Sequence, residues 1–264
     1  MSIAKAADTA GIKPRLRSSD AGIVATLLVG AVVGWWWSVR MADDMDGMGA
    51  MDGMGSMPMS ASMSMTAFVI GWVAMMAAMM FPAISPVVRL YSRAAARGTV
   101  APLPFFVAGY LVVWGSVGMP AYFAWRELAG PLDAGAAWVG RLAGATLLMA
   151  AAYQLTPLKR ACLRHCRSPM SMFTRASGNA TRPAVAMRLG ATHGAVCLGC
   201  CWALMAVLVA VGTMHLAWTA ILALVIFVEK VMPRGETFAL LTAVALAVTG
   251  TFLLTNPSTL TTLT

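Results

Sequence analysis

Charge is what this chain has least of. Asp, Glu, Lys and Arg together make up 11% of its 264 residues, against roughly 25% in a soluble globular domain. That scarcity excludes an ordinary water-soluble fold with a charged surface. Acidic groups are almost absent from the apolar stretches, which disfavours a proton-coupled carrier. Neither a nucleotide-binding Gly-Lys motif nor a phosphorylatable Asp motif is present, which disfavours a stand-alone primary pump. No catalytic residue is assigned, and a non-enzymatic reading leads. Cysteine is confined to five positions between Cys162 and Cys201, so no disulfide framework is expected elsewhere.

What is present is apolar length. The composition is 59% hydrophobic with a mean hydropathy of +0.76. Runs of this kind cross a hydrocarbon layer of about 30 Å at 1.5 Å per residue. Seven candidate spans are predicted at 21–39, 66–88, 103–125, 137–158, 189–211, 214–228 and 237–255, the sixth being short. The expectation is an all-α polytopic transmembrane helical bundle of about seven spans, with six as the alternative. The net charge of +9 is a topology signal and not a sign of nucleic acid. All of the Lys and Arg residues except Arg40, Arg126 and Arg141 fall in the tails and loops of one side. By the positive-inside tendency that side is cytoplasmic, and the amino terminus with it. Trp35, Trp36 and Trp37 suit an aromatic belt at the outer interface. The first span lacks a clear small-residue cleavage site and reads as a retained anchor. The expected organisation is a basic cytoplasmic tail at 1–20, an anchor at 21–40, an outer arm at 41–65, a metal-binding helical membrane domain at 66–256 and an outer tail at 257–264, in the cell (inner) membrane.

The outer arm repeats a six-residue unit. Met45-Asp46-Gly47-Met48-Gly49-Ala50 is followed by Met51-Asp52-Gly53-Met54-Gly55-Ser56, then by Met57, Met59, Met63 and Met65. Among Gly, Ser and Asp these thioethers have no core to fill, which is the usual use of methionine. Thioether sulfur is a soft, uncharged ligand suited to Cu(I), so Met45, Met48, Met51 and Met54 read as part of a copper-collecting arm. The bland alternative is a linker of biased composition. The second span continues the theme with Met75, Met76, Met79 and Met80, paired at four-residue spacing on helix faces. Ordinary packed methionine is the alternative there.

The fifth span places His193, Cys197, Cys201 and Met205 at four-residue intervals, with Cys200 beside them on the same face. All are soft or borderline ligands. The competing reading is buried cysteine as a small hydrophobe. Cys162 and Cys166, with His165 between them, share a face if the fourth helix continues past Pro157. Thiols from both regions could close a tetrahedral site for zinc or an iron-sulfur centre, whereas Cu(I) accepts fewer ligands. Met214-His215 is a weaker candidate at an outer turn. Glu229-Lys230 reads as an ion pair, a helix-end feature or a polar support for the site.

Met75-Met76-Ala77-Ala78-Met79-Met80 with Pro82, Tyr153-Gln154 with Pro157-Leu158-Lys159, Cys162 and Cys166 with Pro169, His193-Gly194, Cys197-Leu198-Gly199-Cys200-Cys201-Trp202, Leu204-Met205 and Glu229-Lys230 together resemble the predicted metal-binding integral membrane protein family, domain of unknown function 2182. The resemblance covers roughly 66–231 and implies a membrane protein that binds metal. A more distant similarity, resting on Met75, Met79 and the arm, is to eukaryotic Ctr-type copper transporters, which pair outer methionine clusters with a Met-x3-Met helix motif. The leading reading is Cu(I) handling, by uptake or delivery, from arm methionines through membrane methionines to inner-side thiols. The partners expected are the metal ion, the lipid bilayer, a metal donor or acceptor protein and a second copy of the chain, with no nucleic acid. A membrane thiol-redox protein using Cys197, Cys200 or Cys201, and an assembly factor delivering metal to a larger membrane enzyme, are the alternatives.

Overall fold

The computed structural model describes residues 22, 25, 29–36, 39–40, 64–167, 181–211, 216–232 and 235–260. The architecture is all-α. The helices are α1 Met65–Ala96, α2 Leu103–Asp133, α3 Ala137–Gln154, α4 Pro157–Arg167, α5 Pro183–Val211, α6 Leu216–Val231 and α7 Gly235–Thr255, followed by a 3-10 turn at Pro257–Thr259. Long runs of Ala, Leu and Met favour helix, and a helix satisfies its backbone groups within itself, as an apolar setting requires. Ser64 starts α1, its hydroxyl accepting from the Ala67 amide at 3.2 Å, in the usual manner of an N-cap. Gly98, at φ 71°, turns the chain after α1, a left-handed conformation that glycine adopts without strain.

Four helices, α1, α2, α5 and α7, are long and apolar enough to cross a membrane. α3 and α6 are helical where the fourth and sixth spans are expected, with 18 and 16 residues. The first expected span is described only in part, its residues 29–36 being helical. That segment lies on α1, with Gly34 against Ala78 and Gly30 against Phe81. The guanidinium of Arg40 sits 5.5 Å from the ring centre of Trp36.

One helical expectation is corrected. The fourth helix does not continue past Pro157; it stops at Gln154 and a separate helix, α4, starts at Pro157. Proline has no amide hydrogen to give and disfavours helix in the residue before it, so it belongs at a first turn. The Thr156 hydroxyl accepts from the Lys159 amide at 3.2 Å and caps the new start. Cys162 and Cys166 therefore ride on an eleven-residue helix of their own.

α5 forms the centre, packed against α2, α3, α4 and α6. α2 and α5 run parallel, with Gly190 facing Phe106 and Gly194 facing Tyr110. A side chain at Gly190 would run into the backbone carbonyl of Phe106, and one at Gly109 into that of Met187. Small residues permit this closeness of backbones. α3 and α7 cross antiparallel, with Gly144 against Gly250 and Gly140 against the Pro257 backbone. Where the outer tail is expected to begin, Pro257–Thr259 thus lies on α3, and Leu260 is buried. Phe68, Trp72, Tyr122 and Trp125 pack ring to ring at the far end of α1.

Candidate metal centre

The four-residue series on α5 is buried throughout. His193, Cys197, Cys200, Cys201 and Met205 all face the interior. The reason is local: α5 is the central helix, covered by α2, α3, α4 and α6. Tyr153, at the end of α3, donates its hydroxyl to the Gly199 carbonyl and sets its ring edge-on to Trp202, which fixes this part of α5 beside α3.

Cys197 is the hub. The Lys230 ammonium, from the end of α6, donates to its Sγ at 2.9 Å, and the Tyr110 hydroxyl of α2 shares a hydrogen bond with the same sulfur at 3.1 Å. The Cys200 and Cys201 thiols turn back to donate to the Cys197 carbonyl, each at 3.0 Å. Cys166, from α4, is buried close to Cys197 and Cys200. Lys230 also reaches Met80 Sδ on α1 at 3.5 Å and Cys201 Sγ at 4.0 Å. Sulfur atoms from α1 and α5 therefore meet around one lysine, with Cys166 of α4 buried nearby.

Cys162 lies at the margin, half-buried, where Gly199 leaves room for it: a side-chain carbon at Gly199 would stand 3.1 Å from the Cys162 sulfur. Burial, aided by the neighbouring Cys200, pushes its thiol up from the ordinary value. All five cysteines are free thiols.

Met76 and Met79 are buried in the apolar core and Met75 is packed half-buried against it. His193 lies between the rings of Phe106 and Tyr110, 6.1 Å from each, and its Nε2 is a buried nitrogen with no hydrogen-bond partner among the described residues. Met45, Met48, Met51, Met54, Met214 and His215 lie outside the described residues. Among the described residues no three His, Cys, Asp or Glu side chains stand arranged to hold an ion. The thiols are directed instead to the Cys197 carbonyl, to Tyr110 and to Lys230.

Glu229 and Lys230 part company. Glu229 takes the Lys159 ammonium at 2.6 Å and the Gln154 amide at 2.9 Å, all three residues being buried, while Lys230 turns to the sulfurs. Tyr110 is the participant that sequence reasoning missed. Its signal was a polar tip inside an otherwise apolar helix, where a tyrosine hydroxyl needs a partner.

Chemically, a cluster of thiols joined by a thioether suits a soft monovalent ion better than a hard one. The fold and this cluster define an all-helical protein with a soft-donor core. The chain belongs to the PpoB2 copper chaperone family, whose model matches residues 69–253. No curated protein and no solved structure matches it.

Proposed function

We propose that this protein is an integral membrane copper chaperone that carries Cu(I) as cargo in the sulfur cluster around Cys197 and hands it to an acceptor protein. The observation that carries the reading is the meeting of Met80, Cys166, Cys197, Cys200 and Cys201 at one place from three helices. These donors fit the cargo: thiolates and thioethers favour Cu(I), which is satisfied by two or three ligands. Thioethers of the arm collect the ion outside, and thiols at the inner side hold it more tightly, so affinity rises along the path.

This direction takes the chain to have seven spans with a cytoplasmic amino terminus. In that topology the third and fifth spans run the same way and the fourth and seventh run oppositely, which agrees with the parallel α2 and α5 and the antiparallel α3 and α7. α4, bearing Arg160, Arg164 and Arg167, then lies at the cytoplasmic face of the inner membrane, with half-buried Cys162 as the thiol nearest an acceptor.

The test is elemental analysis of protein purified without oxygen. Copper near one equivalent in the parent, lost from a Cys197→Ser, Cys200→Ser and Cys201→Ser variant, is the expected result. A metal-free parent whose Cys166 and Cys197 interconvert between thiols and a disulfide overturns the copper reading in favour of thiol redox chemistry, for which the burial of these two free thiols close together is the supporting observation.

A further inference from the structure

Among the described residues, Lys230 is the one cation in hydrogen-bonding reach of the clustered sulfurs. It is 6% exposed, and buried lysines are rare unless paired. Its neighbour in sequence, Glu229, is held by Lys159 and Gln154. The ammonium has three N–H groups, and three sulfurs surround it: Cys197 at 2.9 Å, Met80 at 3.5 Å and Cys201 at 4.0 Å. Two thiols and a thioether about a single positive charge form the donor set that a Cu(I) ion requires.

We propose that Cys197, Cys201 and Met80 are the copper seat and that the Lys230 ammonium occupies it in the metal-free protein, as an internal cation that Cu(I) displaces. The inference rests on the copper-chaperone reading and adds to it the ligand set and a source of selectivity. Cu(I) and an ammonium each carry one positive charge. Thiols bind the ion as thiolates, so Cu(I) entering the seat releases the Cys197 and Cys201 protons to solvent; the two thiolates then balance Cu(I) and the withdrawn ammonium together, whereas a divalent ion leaves one positive charge uncompensated in a low-dielectric interior, which is costly. The seat thus favours a soft monovalent ion over Zn(II). The flexible four-carbon stem of lysine lets the head group withdraw without moving α6. A competing internal cation also lowers net affinity, which suits a protein that must release its cargo.

The experiment uses the full chain in detergent without oxygen, with Cu(I) held in competition by a chromophoric Cu(I) chelator and Zn(II) titrated separately. Lys230→Leu and Lys230→Gln are expected to hold Cu(I) at least about tenfold more tightly than the parent, the factor associated with one charge-assisted hydrogen bond. Lys230→Arg, which keeps the charge, is expected to show no gain, and Met80→Leu, which is close in volume, is expected to weaken binding. Zn(II) binding is expected to improve in Lys230→Leu relative to the parent. A lysine that merely holds the helices together would not give opposite outcomes for Leu and Arg. If the neutral variants elute as folded protein and bind Cu(I) no more tightly than a copper-binding parent, the competing-cation proposal is overturned and the chaperone reading stands. If Lys230→Leu aggregates, Lys230→Gln decides the same question. A parent that binds no Cu(I) overturns the chaperone reading itself and the seat with it.

Discussion

Lys159 Nζ lies 2.6 Å from Glu229 Oε2, inside the protein, joining the first turn of α4 to the last turn of α6. The residues next to this pair are the ones that matter for the cluster: α4 carries Cys162 and Cys166, and Lys230 follows Glu229. The ion pair fixes the mutual position of thiols and ammonium without touching either. Arg167 adds a second tie at the other end of α4 by donating to the Met232 carbonyl.

Glu229→Ala is accordingly expected to destabilise the protein strongly, by about 3–5 kcal/mol, because it leaves the Lys159 ammonium buried and unpaired. Replacing both partners with apolar residues, Lys159→Met with Glu229→Leu, is expected to recover most of the loss. Thermal unfolding in detergent, followed by tryptophan fluorescence, measures both variants. Melting of Glu229→Ala at the parent's temperature would falsify the structural role given to the pair.

The close crossing of α2 and α5 supplies the next prediction. A methyl group at Gly190 meets the Phe106 carbonyl, while one at Gly130, near the end of α2, meets nothing within 4 Å. Gly190→Ala is expected to lower the melting temperature and to displace Tyr110 from Cys197, because the helices must separate. Gly130→Ala is expected to melt at or above the parent's temperature, since alanine is the better helix former. Equal behaviour of the two variants would remove the crossing from the account.

How much of this was legible in the sequence depended on distance along the chain. Apolar length, the helix faces of α5 and the grouping of Cys162 with Cys166 are local properties, and periodicity exposed them. The break at Pro157 was visible as a condition and needed the structure to decide it. The contacts of Cys197 with Tyr110 and Lys230 join residues 87 and 33 positions apart, and spacing within one helix carries no information about which face of another it meets. Lys230 could be recognised as a charge at the end of an apolar run, and Glu229 beside it offered the obvious partner. Of the readings open for Glu229-Lys230, the ion pair gives way to polar support of the site, because Lys159 and Gln154 reach Glu229 from α4 and α3.

The margin thiol gives a prediction with a definite sign. Burial raises Cys162 above the ordinary thiol value, so the proton stays on through neutral pH and the reactive thiolate accumulates only above the usual range. Iodoacetamide labelling of Cys162, read by peptide mass spectrometry, is expected to be slow at pH 7 and still accelerating beyond about pH 9, where a free thiol of pKa about 8.5 is already levelling off. A labelling rate that has levelled by pH 8 would contradict the buried, raised thiol.

The methionine arm can be separated from the seat by kinetics. If Met45, Met48, Met51 and Met54 only collect the ion, they change how fast copper reaches Cys197 and leave its final affinity alone. Thioethers are neutral and bind Cu(I) more weakly than thiolates, so at equilibrium the cluster holds the ion in either form of the protein. Deleting 45–59 is expected to slow copper loading severalfold when free Cu(I) is scarce, and to have little effect when it is abundant, because collection then no longer limits the rate. The endpoint of chelator competition is expected to match the parent's. Copper content followed over time, at low and high supply, distinguishes the cases: a changed endpoint makes the arm part of the binding site, and an unchanged rate at low supply reduces it to a linker.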